Sequence, residues 1–94
     1  MRRLTWDEFA NAEGAIYEVE LDGGRRVAMT LDRATELPSG GREGGSFRLE
    51  FLGPADPLLP QSIYPFHRGD DRCDIFVVPI GQDEQGTRYE AIFY

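Results

Sequence analysis

The chain has one histidine and one cysteine, His67 and Cys73, close together and surrounded by Asp70, Asp71 and Asp74. A thiol, an imidazole base and an orienting carboxylate are the parts of nucleophilic catalysis. The stretch supplies no nucleophile elbow and no oxyanion-hole context. Cys73 opens the apolar run Ile75-Phe76-Val77-Val78, where a thiol behaves as a small hydrophobe. Cys73 is therefore expected to be chemically inert, and a hydrolase built on Cys73 and His67 ranks third among the functional readings. One His and one Cys also fall short of the four ligands of structural zinc. Asp70, Asp71 and Asp74, or Asp83 with Glu84, lack calcium-loop spacing and read as solvated acidic turns. Arg68-Gly69-Asp70 spells an integrin-recognition tripeptide, but it reads as a turn. The loop from Pro38 to Gly45 holds four glycines. A phosphate cradle needs a helix directly after such glycines, and a strand follows here, so the loop reads as a connector. No catalytic residue, metal ligand or cofactor is expected.

The totals narrow the partners. Ninety-four residues make one small domain, long enough to bury roughly 60–65% of its unfolded surface. Seventeen acids stand against ten bases, all of them arginine, for a net charge of −7. Nucleic acid and anionic membrane need a basic face, so neither is expected as a partner. A lone cysteine forms no internal disulfide. The N-terminal stretch has no apolar core of a signal peptide, and no apolar run reaches the ~18–20 residues of a spanning helix. The expected location is the cytoplasm.

The elements that must position these residues are mostly strands. Tyr17, Val19 and Leu21 alternate with Glu18 and Glu20, and Val27, Met29 and Leu31 alternate with Arg26, Ala28 and Thr30. Joined through Gly23-Gly24, they predict a hairpin with one buried face. Ala34 and Leu37 fall out of phase, which predicts a bulge near Asp32-Arg33. Phe47, Leu49 and Phe51 form a third strand. Ser62 to His67 form a weaker one, which Pro65 restricts to an edge or a bulge. A terminal hairpin runs from Cys73 to Tyr94 through a polar turn, with Tyr89, Ala91 and Phe93 on one face. Its first strand is apolar on both faces, as expected of a strand covered on both sides, and Tyr94 is expected to be tied into the sheet. Val19, Val27, Leu49, Val77 and Phe93 are expected to share one core. Near the N-terminus Thr5 and Glu8 have capping-box spacing, flanked by Leu4 and Phe9 as a hydrophobic staple. That predicts a short helix covering an open end of the sheet. The fold class is all-β: a small antiparallel barrel or two-sheet sandwich of about six strands with one short N-terminal helix, residues 1–94 forming a single domain.

Pro54, Pro57 and Pro60 stiffen one connection, and Leu58 and Leu59 sit in it outside any periodic pattern. Rigid apolar anchors dominate many protein contacts. Apolar residues in such a loop either tuck over the core, the ordinary outcome for loop packing, or face a partner. On the second reading Leu58 and Leu59, with Tyr64 and Phe66, are the expected contact with another protein or with a second copy of the chain.

Leu4 with Phe9, Thr35-Glu36-Leu37-Pro38, Phe51 to Asp56, Leu59-Pro60-Gln61 with Tyr64, Phe76 to Gly81 and Tyr89 to Phe93 together resemble a family of small bacterial domains of unknown function. Val78-Pro79-Ile80-Gly81 and Tyr89-Glu90-Ala91-Ile92-Phe93 are its most specific parts. The resemblance implies an association with phage-tail-collar-like (microcystin-dependent-type) proteins, and it brings no catalytic residues. The expected function is a non-catalytic protein-binding β-domain, an accessory or assembly factor for a tail-collar-like protein; the alternative is a small-ligand-binding barrel.

Overall fold

The computed structural model describes residues 4–38 and 45–93. Helix α1 (Trp6–Ala10) precedes strands β1 (Ile16–Glu20), β2 (Arg26–Glu36), β3 (Phe47–Gly53), β4 (Ser62–Arg68), β5 (Asp71–Asp83) and β6 (Gly86–Phe93). The strands close into a barrel in the order β1-β2-β3-β6-β5-β4, every neighbour antiparallel. The all-β expectation therefore holds, and of its two forms the chain adopts the barrel. Residues 39–44 of the glycine-rich loop and Tyr94 lie outside the described residues.

Alternation decides which side chains fill the barrel, because successive residues of a strand point to opposite faces. Tyr17, Val19, Met29, Leu31, Phe47, Leu49, Phe51, Phe66, Ile75, Val77, Tyr89 and Ala91 are buried in one cluster. Phe93 packs on it half-buried, and Val27 is buried outside it. The bulge falls where the phase slip places it: the β2–β3 register shifts between Leu31 and Arg33, returning Ala34 to the inside opposite Leu49. The Ala34 N–H donates to Glu13 Oε2 at 2.8 Å, so a carboxylate from the preceding turn serves the bulged strand. A second bulge interrupts the β5–β6 register between Pro79 and Gly81, turning Ile80 outward.

Helix α1 covers one end of the barrel. Thr5 Oγ1 accepts the Glu8 N–H, Phe9 is fully buried against the Phe47 and Phe93 rings, and Leu4 packs on the same cluster. A five-residue helix has little intrinsic stability, so this aromatic seat holds it in place. Among the described residues, no helix is long and apolar enough to cross a membrane.

One expectation is corrected. The first strand of the terminal hairpin is not covered on both sides: Ile75 and Val77 face the core, whereas Phe76 is 51% exposed. A single closed barrel covers only its inner face, and nothing among the described residues lies over the outside of β5 at this level.

Candidate functional site

His67 and Cys73 do not form a pair. Phe66 lies opposite Cys73, and His67 lies opposite Arg72 on the other face of the same two strands. Cys73 packs on the core and helps line a crevice of about 20 Å³ with Glu8, Tyr17, Phe66, Arg68 and Asp71. Burial pushes the Tyr17 phenol up, against the opposing pull of the Arg68 guanidinium beside it. His67 Nε2 instead meets Glu20 Oε1 at 2.8 Å on the outer surface. Arginines occupy two of the acidic turns. Asp74 accepts from Arg72, and Asp83 accepts from the Gln85 N–H and from Arg88. The Gln85 N–H, followed by Arg88, holds the Asp83 carboxyl below its usual range. Among the described residues, no group of three or more His, Cys, Asp or Glu side chains is placed to hold a metal ion. Arg68-Gly69-Asp70 spans the β4–β5 turn, with Gly69 at φ +62°.

The four residues expected to contact a partner separate. Leu58 is 54% exposed, but Leu59 is only 4% exposed and Phe66 is buried in the barrel. The Leu59 N–H donates to the Tyr89 hydroxyl at 2.9 Å, and this buried bond ties the proline-rich connection to the core. Tyr64 is half-buried and donates its hydroxyl to the Pro60 carbonyl at 2.6 Å. Burial raises its phenol pKa. Leu59 and Phe66 are thus core residues, and only Leu58 of the set offers a free apolar side chain. Tyr89→Phe should leave the Leu59 N–H buried without its acceptor and cost about 1–3 kcal/mol in chemical denaturation. A loss near zero would show that the loop is held otherwise.

Two surface features stand out. On the outer face Ile63 pairs with Phe76 across β4 and β5. The β5–β6 register, carried two residues beyond Val78↔Glu90, sets Ile92 beside Phe76. These three side chains are 63%, 51% and 45% exposed, forming an apolar row across three strands. The row ends at Arg48, opposite Ile92, where Arg48, Glu50, Arg88 and Glu90 form a bridged charge quartet. Simple alternation conceals this row, because apolar residues on both faces of a strand look like burial on both faces.

The second feature is a groove of about 570 Å³ at the β1–β4 seam, lined by Glu20, Leu21, Asp22 and Arg25 on one side and by Leu59 to Pro65 on the other. The seam itself is only two residue pairs long, Glu18↔His67 and Val19↔Phe66.

Residues 4–93 match the family described as a domain of unknown function, DUF6916. No curated protein and no solved structure matches the chain.

Proposed function

The chain belongs to the DUF6916 family, which spans nearly all of it, and we propose that it is a non-catalytic β-domain that binds another protein through the outer face of β4, β5 and β6. The observation that carries this reading is the row Ile63, Phe76 and Ile92, three large exposed apolar side chains at one level of a highly charged chain. Apolar side chains gathered on an otherwise polar surface mark interaction sites more often than the same residues scattered singly. Burying them gains roughly 25 cal/mol per Å² of apolar surface. The barrel interior, by contrast, is filled by Met29, Phe51, Tyr89 and their neighbours, so a small ligand would have to sit in the seam groove.

The partner to test first is a phage-tail-collar-like protein of a bacterial host, for which this domain would act in the cytoplasm as an accessory or assembly factor. That choice rests on the resemblance of Val78-Pro79-Ile80-Gly81 and Tyr89 to Phe93 to companions of such proteins. The test is titration calorimetry of the purified tail-collar-like protein against the wild type and a Phe76→Ser, Ile92→Ser double variant. The expected result is at least about a tenfold loss of affinity, or 1.4 kcal/mol. The melting temperature should move little, since an exposed cross-strand pair contributes only about 0.2–1 kcal/mol. Equal binding by the folded variant would refute the assignment of this face.

A further inference from the structure

We propose that the first half of β4 is a docking edge on which an extended segment of a partner protein adds as a further strand, filling the seam groove. The inference rests on the protein-binding reading above and specifies how the partner docks.

Pro65 fixes the direction of the β4 backbone. Opposed residues in an antiparallel ladder alternate between pairs that exchange two N–H···O bonds and pairs that exchange none. Proline has no N–H, yet Pro65↔Asp74 lies inside a β4–β5 ladder that runs from Ser62↔Val77 to Arg68↔Asp71. Pro65 must therefore occupy a non-bonded pair, and Tyr64 and Phe66 carry the bonds to β5. Ile63, Pro65 and His67 consequently turn their backbone groups the other way, towards β1.

Only His67 finds a strand there, opposite Glu18. The same register would bring Glu20 to Pro65 and Asp22 to Ile63, but β1 turns away first. Asp22–Gly24 form a 3-10 turn directly after Leu21, closed by the Gly24 N–H to the Leu21 carbonyl at 3.1 Å. The chain thus commits to the turn into β2, and the groove opens where the ladder would have continued. Four residues of β4, Ser62 to Pro65, border it, a length of about 13 Å for an extended segment. Strand addition at such an edge draws affinity from the main chain and specificity from alternate side chains.

The walls specify the segment. A residue of the segment set outward lies between Ile63 and the outward side chains at the end of β1, whereas its neighbours point inward to Leu21, Leu59 and Tyr64. Across the groove stand two carboxylates, Glu20 and Asp22, against one guanidinium, Arg25, and Glu20 already holds His67. A segment that alternates an outward arginine or lysine, its stem against Ile63, with inward apolar residues therefore fits this edge. A second copy of the chain fits poorly, since each copy carries −7 and the same two carboxylates at the rim.

The probe is a blocked hexapeptide alternating Val and Arg, compared with the same peptide N-methylated at the residues whose N–H would face β4. Titration is followed by ¹H–¹⁵N shifts and amide hydrogen exchange. The expected result is at least tenfold slower exchange of the Ile63 amide with the plain peptide, and at least tenfold weaker binding after methylation. Asp22→Asn should weaken binding several-fold. Ile63→Pro removes the edge-facing N–H together with the Ile63 side chain, so it should abolish binding. Ile63→Ala, which keeps the N–H, should only weaken it, and the fold should survive in both. Equal binding by both peptides, or no Ile63 protection at the highest soluble concentration, overturns strand addition. So does sedimentation showing that the chain pairs with itself through this edge. Loss of partner binding in the Phe76→Ser, Ile92→Ser variant alongside any of these would leave the protein-binding face standing without this docking mode.

Discussion

Gly86→Ala is expected to remove about 3–5 kcal/mol of stability, combining a forbidden backbone conformation with overpacking. Gly86 opens β6 directly after the turn from β5, with φ at +142°, a region L residues rarely adopt. A Cβ there would stand 2.1 Å from the Gly53 carbonyl oxygen, which is backbone and has no rotamer to move to. Met29 and Tyr89 fill the space a side chain at Gly53 would need, a Cβ there coming within 3.3 Å of both. For a small domain holding about 5–15 kcal/mol in total, the variant should be close to unfolding at body temperature. Gly81→Ala is the control. A Cβ at Gly81 meets nothing within 4 Å and its φ is ordinary, so the change should be neutral or stabilise by up to about 1 kcal/mol. Urea denaturation of the two variants measures the contrast. Similar midpoints would show that the β3–β6 crossing is looser than its geometry.

Leu59→Ser should cost about 2–5 kcal/mol, and Leu58→Ser less than about 0.5 kcal/mol, although the two are neighbours in one proline-braced loop. Leu59 loses buried apolar contact and gains a hydroxyl in the core, on the very residue whose N–H is held by Tyr89. Leu58 points to solvent. The double variant should therefore melt many degrees lower, with the loss tracking Leu59 alone. This departs from the expectation that both leucines face a partner. Thermal melts of the two single variants test the point, and equal shifts would mean that the connection is not anchored through Leu59.

Alternation of apolar and polar residues by itself determined most of the secondary structure, because each strand's phase is a local property. Tyr17-Val19 and Val27-Met29-Leu31 point inward as their spacing requires, and the phase slip after Leu31 marks the bulge. The Thr5 cap likewise follows from nearby residues. Charge and the scarcity of nucleophiles narrowed the functional classes. Three matters were left to the tertiary structure. Barrel closure, and with it the strand order, depends on which edges meet; β4 returns to β1 through only two pairs because the turn Asp22–Gly24 takes the chain into β2 and Pro65 lacks an N–H. The sides on which His67 and Cys73 fall depend on the register of β4 against β5, which separates residues that are close in sequence onto opposite faces. Finally, a pattern of apolar residues on both faces does not say whether anything covers the second one. Leu59 is sealed by Tyr89 from a distant strand, whereas Ile63, Phe76 and Ile92 are left bare, since a single barrel offers only one interior.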